Sequence, residues 1–176
     1  MEVKKFTNTI TFIFLFTTSF GQFNVKDLVD SLKFLETDTL DCTADIYWKI
    51  IAQKEKAIPY LIDKLTDTTP TKIRYDCKKT PLNISEVSYL ALTEIADFPI
   101  FDITGYQFDH IDRNGCSGFH LWYFFTDNLG HKPEFQKSVR KWWAKNKKKY
   151  MWHLAPRKYL TECRKKYGIK GHYSYN

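Results

Sequence analysis

The chain has 176 residues, of which 43% are hydrophobic, 17% aromatic and 27% charged, with only 7 Gly and 6 Pro. This composition excludes a disordered, collagen-like or low-complexity protein, and the length suits one compact domain. The formal net charge is +7, from 27 Lys and Arg against 20 Asp and Glu.

A short basic start and an apolar run open the chain. Lys4 and Lys5 precede apolar residues 10–20, and Ser19 and Gly21 supply the small residues of a cleavage site. The run is about half the length that a bilayer-spanning helix needs. The pattern therefore predicts a signal peptide over residues 1–21 and an exported chain, periplasmic or secreted, that has no transmembrane segment after cleavage.

The four cysteines become informative if the protein is exported. Cys42, Cys77, Cys116 and Cys163 lie far apart in the sequence, and none belongs to a CxxC pair. An even count in an oxidising compartment favours two disulfides. Three pairings are open, and the sequence does not choose among them.

Apolar residues recur at helical spacing through most of residues 22–176, which we predict to form a single helical domain. Asn24 is a candidate N-cap for the first helix, and Asn83 with Glu86 resembles a capping box that opens a central, all-round apolar helix. Residues 71–82 lose the helical spacing and are predicted to form a loop or a short hairpin, and no strand is predicted elsewhere. The predicted helices cover about 25–35, 46–51, 57–65, 84–97, 119–129, 133–150 and 156–167.

Residues 57–97 resemble a HEAT-type repeat. Residues 57–65 read AIPYLIDKL, as in the first helix of such a repeat, and Val87, Ala91, Leu92 and Ile95 match the second. The resemblance implies stacked helices and a role in holding a partner, with no catalytic residues. The long insertion between the two helices departs from the family. The predicted fold is an all-α, compact bundle of antiparallel helix pairs with two long loops, 71–82 and 98–118, pinned by disulfides.

Charge is unevenly distributed along the chain. Residues 131–176 carry 14 Lys and Arg against Glu134 and Glu162, a net of +12, whereas residues 22–130 carry a net of −6. Such charge polarity steers partners of opposite charge, so the basic end could bind an anionic surface. The alternative is that these lysines form an ordinary solvated helix face. Because Trp142 and Trp143 lie on the apolar stripe opposite the lysines, we predict no nucleic-acid partner.

The loop over residues 109–116 concentrates reactive side chains. Cys116, His110 and Asp112 could form a nucleophile, base and orienting group, but they lie close in sequence and a disulfide would remove the thiolate. His110, Cys116 and His120 could bind a metal, yet no usual ligand spacing appears. We therefore predict no catalytic residue, no metal and no cofactor.

The leading hypothesis is an exported, non-enzymatic module that binds another protein, such as an inhibitor or immunity protein that neutralises a toxin or hydrolase outside the cytoplasm. The alternatives are a hydrolase that uses the 109–116 loop and a cell-envelope protein that contacts anionic lipid or polysaccharide. Long irregular segments often carry binding residues, and charged faces steer partners. The predicted binding residues are Asp102, Asp109, His110, Asp112, Arg113, Lys137, Arg140, Lys141 and Lys145.

Overall fold

The computed structural model describes residues 24–113, 115–126 and 130–176. The predicted signal peptide lies outside the described residues. About half of the chain is helical, and one two-stranded antiparallel sheet accompanies the helices. The helices are α1 Val25–Asp30, α2 Asp45–Ala52, α3 Ile58–Asp63, α4 Ile84–Ile95, α5 Ile100–Thr104, α6 His131–Asn146 and α7 Glu162–Lys166, and the strands are β1 Tyr150–Leu154 and β2 Gly171–Tyr175.

Helix α4 is the centre of the core. Ten of its twelve residues are buried, as its all-round apolar sequence predicts. The predicted capping box is confirmed: the Asn83 side chain accepts the Glu86 N–H at 3.1 Å, and the Glu86 carboxylate accepts the Asn83 N–H at 2.9 Å. Helices α2 and α3 pack on α4, and α6 covers α3 through Gln136, which donates to the Ile62 carbonyl at 3.0 Å.

The all-α prediction is wrong, because β1 and β2 pair in register from Tyr150 opposite Tyr175 to Leu154 opposite Gly171. Aromatic residues favour strands, where their rings pack across the ladder. The Tyr150 and Tyr175 rings lie 5.5 Å apart, and those of Trp152 and Tyr173 lie 4.9 Å apart. A Cβ at Gly171 would lie 2.0 Å from the His153 carbonyl oxygen, so only glycine permits this close strand pairing.

Two predicted helix ends are also wrong. Helix α6 ends at Asn146, and Tyr150 belongs to β1 rather than to the apolar stripe of that helix. The predicted helix over 156–167 is a 3₁₀ turn, Arg157–Tyr159, followed by α7. The 3₁₀ turn Lys147–Lys149 lies between α6 and β1.

The predicted HEAT-like helices 57–65 and 84–97 are present as α3 and α4, which pack against each other. The insertion between them forms bridged turns, with isolated pairings of Pro70 with Asn83 and of Tyr75 with Lys78. Membership of a HEAT-type family remains a prediction.

The prediction of two disulfides is confirmed. Cys42 pairs with Cys163, which joins the loop before α2 to α7, and Cys77 pairs with Cys116. The second bridge ties the 71–82 loop to the 98–118 segment. Two disulfides are compatible with an oxidising compartment.

Candidate functional site

The 98–118 segment is shaped by short-range turns and by its disulfide. Helix α5 occupies its first part and ends at Gly105, whose φ of +75° needs the freedom of glycine. Farther along, the Asp112 carboxylate accepts the Cys116 N–H at 2.8 Å, and the Asp112 N–H donates to the Cys116 carbonyl at 2.9 Å. The described residues of this segment are therefore held by local hydrogen bonds and by the disulfide.

The next segment anchors this element in the core. The predicted helix over 119–129 is a π-helical segment, His120–Phe124, in which the Phe125 N–H donates to the His120 carbonyl at 2.9 Å. Residues 127–129 lie outside the described part of the chain. Phe119 and Phe124 are buried against Tyr89 of α4, with ring separations of 5.2 and 4.7 Å.

Four large apolar side chains of these two segments remain exposed, and we call them the aromatic face. Exposed apolar side chains that lie next to each other are typical of an interaction surface, whereas isolated ones are common on any protein. Phe101 and Tyr106 line one groove together with Asp109. The exposed fractions are 59% for Phe101, 61% for Tyr106, 69% for Ile111 and 57% for Trp122.

Trp122 is exposed yet held in place. Its indole stacks on the His110 ring, with centroids 4.8 Å apart and planes at 27°. The indole also lies close to Gly118, where an added Cβ would be 3.0 Å from two indole carbons. The Gly118 N–H donates to the His110 carbonyl at 2.7 Å, which fixes the two contacts relative to each other. This arrangement presents an aromatic side chain in one orientation at little entropic cost.

The predicted binding residues of the 98–118 segment have different roles in the structure. His110 supports Trp122, and Asp112 closes the 112–116 turn. Asp109 is exposed and accepts a hydrogen bond from Gln107 at 2.6 Å. Asp102 on α5 and Arg113 are exposed at the edge of the aromatic face.

The chemical alternatives find little support in this geometry. Cys116 is buried and bonded to Cys77, so it has no thiol that could act as a nucleophile or ligand in the oxidised protein. Within residues 24–113, 115–126 and 130–176, no three His, Cys, Asp or Glu side chains group as metal ligands.

The predicted basic residues form a second surface on α6. Lys137, Lys141 and Lys145 are exposed at spacings of four residues, which places them on one side of the helix. Arg140 is also exposed and pairs with Asp63 of α3 at 2.7 Å. No ion pair or hydrogen bond between the described residues links this surface to the predicted residues of the 98–118 segment.

A cavity of about 420 Å³ lies beside the aromatic face, between α2, the 71–82 loop, α4 and the π-helical segment. Tyr47 and Trp48 of α2 form one wall, with rings 5.4 Å apart. Tyr75, Tyr89 and His120 form the other, where the His120 ring lies 6.3 Å from Tyr75 and 5.6 Å from Tyr89.

The electrostatics of this cavity follow from burial. Burial lowers the pKa of His120 below its usual 6.5, so the imidazole is neutral at pH 7. Burial also raises the pKa of Tyr47, with the Glu94 carboxylate and the Tyr75 phenol adding to the effect, and it raises the pKa of Tyr89. The phenols are therefore protonated donors. The Glu94 carboxylate is neutralised by an ion pair with Arg164.

Sequence reasoning missed the aromatic face and the cavity. Tyr47 and the aromatic run that contains Trp122 were assigned to helices and their packing, because spacing alone does not distinguish an exposed ring from a buried one. Residues 119–125 contain five Phe, Trp and Tyr side chains, of which the structure buries four and leaves Trp122 exposed.

No protein-family model, curated protein or solved structure matches this chain significantly. Among the helices of the described residues, none has the length and apolar character needed to cross a membrane.

Proposed function

We propose that this chain is an exported binding protein that recognises another protein through the aromatic face. The observation that carries the proposal is Trp122, which is 57% exposed and yet fixed between His110 and Gly118. Tryptophan is the residue type most enriched among interface hot spots. A side chain already held in one rotamer loses less conformational entropy when a partner covers it.

The charges around the face indicate the kind of partner. Asp102, Asp109 and Asp112 belong to the segment that carries the face, against the single cation Arg113. A complementary partner presents an apolar pocket with a basic rim. The size, the predicted export and the charge polarity of the chain agree with an inhibitor or immunity protein whose partner is a toxin or hydrolase.

A binding experiment with matched variants tests the proposal. A photo-reactive residue at position 111 would cross-link a bound protein from envelope and secreted fractions, and mass spectrometry would identify the linked peptide. The affinity of the purified partner is then measured for the wild type, for Trp122→Ala and for Phe34→Ala, which removes an equally exposed ring elsewhere. We expect Trp122→Ala to weaken binding about 30-fold, since hot-spot truncation costs about 2 kcal/mol or more.

The outcome for Phe34→Ala should match the wild type. Equal affinity of Trp122→Ala and wild type would contradict the proposal. So would a cross-linked partner whose binding depends only on the α6 lysines and disappears at moderate salt.

The basic surface of α6 favours a second candidate, contact with an anionic lipid or polysaccharide surface. Lys137, Lys141 and Lys145 present three aligned charges. Vesicles with and without an anionic lipid, compared for the wild type and for a triple Lys→Gln variant, test it, and equal binding of the two proteins would exclude it.

A further inference from the structure

We propose that the cavity between α2 and the π-helical segment binds a saccharide ring that carries a carboxylate. This inference goes beyond the proposed protein-binding function, because the cavity and the exposed rings of the aromatic face are different surfaces. The volume of about 420 Å³ falls within the usual range of small-molecule sites, about 300–1,000 Å³.

The two walls offer both faces and edges of aromatic rings to a sugar ring, because neighbouring rings within each wall lie nearly perpendicular, at 79° to 87°. Tyr47 and Trp48 line one side, while Tyr75, Tyr89 and His120 line the other. Rings contact each other within each wall, but among the described residues no ring contact crosses from Tyr47 or Trp48 to the opposite wall. The space between them can therefore hold an inserted ring whose C–H faces pack on the aromatic surfaces.

The walls also contain polar atoms whose hydrogen-bonding capacity is unused. His120 Nδ1 is buried and has no hydrogen-bond partner. The hydroxyls of Tyr47, Tyr75 and Tyr89 form no hydrogen bond with another described residue. Leaving a buried atom such as His120 Nδ1 unpaired is costly, and a polyhydroxylated ligand offers a donor to it and hydrogen-bond partners to the three hydroxyls.

The charge of the cavity favours an anionic ligand over a cationic one. Glu94 is paired with Arg164, so its carboxylate does not supply a net negative charge. Arg74 lines the rim, and its guanidinium forms no ion pair among the described residues. Guanidinium binds carboxylates in a two-point geometry, so Arg74 is the group that would select an acidic sugar.

Nuclear magnetic resonance titration of the full protein tests this inference with two small probes, methyl glucuronide and the neutral methyl glucoside, each up to about 10 mM. Small probes avoid the multivalent attraction of an acidic polymer to the α6 lysines. We expect the glucuronide to bind about tenfold more tightly than the glucoside, because a hydrogen bond to a charged group contributes ~1.5 kcal/mol or more.

Four variants make the test specific. Arg74→Gln should remove the preference for the glucuronide, and Tyr75→Ala should weaken both probes. Tyr75→Phe keeps the ring and should lose a few-fold in affinity, which decides the matter if Tyr75→Ala does not fold. Lys158→Gln, in the 3₁₀ turn Arg157–Tyr159, removes an exposed cation away from the cavity and should change nothing.

If neither probe binds in this range, the inference is overturned. A preference for the glucuronide that survives Arg74→Gln, or that disappears with Lys158→Gln, would also overturn it. The result is separable from the proposed function, because Trp122→Ala removes the protein-binding anchor and should leave probe binding unchanged.

Discussion

The ammonium of Lys132 and the carboxylate of Glu86 form an ion pair of 3.0 Å between two side chains that are 2% and 0% exposed. The residues lie 46 positions apart, so the pair fastens the start of α6 to the first turn of α4. Lys78 also reaches the same carboxylate at 2.8 Å. One buried carboxylate thus serves two cations and the capping box.

We expect Glu86→Gln to lower the free energy of unfolding by ~3–5 kcal/mol, because it leaves two lysines without their carboxylate in a poorly solvated site. Urea denaturation measures the change. Lys132→Met should cost less, since Glu86 keeps its contacts with Lys78 and with the Asn83 N–H.

The matched control is Lys49→Gln, which breaks an exposed ion pair with Asp45 and should change the free energy of unfolding very little, because water screens an exposed pair. A loss for Glu86→Gln no larger than for this control would show that the buried carboxylate does not hold α4 and α6 together.

We expect the two disulfides to differ in their effect on binding at the aromatic face. Replacing Cys77 and Cys116 by Ala removes a link between residues 39 positions apart, and chain entropy predicts that the free energy of unfolding falls by about 4 kcal/mol. For Cys42 and Cys163, which lie 121 positions apart, the predicted loss is about 5 kcal/mol. Only the first double variant should weaken binding at the aromatic face, because only that bridge anchors the 98–118 segment. Equal effects of the two on partner affinity, measured well below both unfolding transitions, would contradict this assignment.

We expect the free energy of unfolding to decrease at acidic pH because of His120. Burial lowers its pKa in the folded state below 6.5, so the unfolded chain binds more protons between the two pKa values. This contribution is fully present above about pH 6.5 and is lost as the pH falls towards the folded pKa. Urea unfolding at about pH 7.5 and 5.5 should show a smaller loss for His120→Phe, which keeps a ring stacked on Phe125 but cannot titrate.

All other residues are the same in the two proteins, so their contributions cancel in the comparison. An equal loss in His120→Phe and the wild type would mean that His120 is protonated as readily in the folded protein as in the unfolded chain.

Gly118→Ala should displace Trp122 without unfolding the protein. The new Cβ would lie 3.0 Å from the indole, so the ring must shift from its present position. The indole N–H resonance of Trp122 should shift, while the free energy of unfolding changes by less than ~1 kcal/mol because the indole is exposed. An unchanged resonance would show that the ring is not held as described.

Helical spacing predicted much of the core. The Asn83–Glu86 capping box and the all-round apolar sequence of α4 are local signals, and both are confirmed. The sheet was missed because Tyr150 continues the apolar period of α6, while its partner Tyr175 lies 25 residues farther along the chain. Strand pairing depends on such distant partners, whereas a helix closes its hydrogen bonds within four residues.

The candidate site was predicted only in part. The 98–118 segment and His110 were identified from the loop composition, but Trp122 was assigned to helix packing and the cavity around Tyr75 was not foreseen. The position of the exposed Trp122 ring depends on its contacts with Gly118 and His110. The cavity depends on how far apart two walls from different elements lie.

The sequence alone determined the number of disulfides, the central helix and the uneven charge, because residue counts and local spacing encode these properties directly. Only the tertiary structure decided which cysteines pair, where the two strands lie and which rings remain exposed. These three features depend on contacts between residues far apart in the chain. Such contacts form only when the elements pack, so the residue spacing within any one segment does not reveal them.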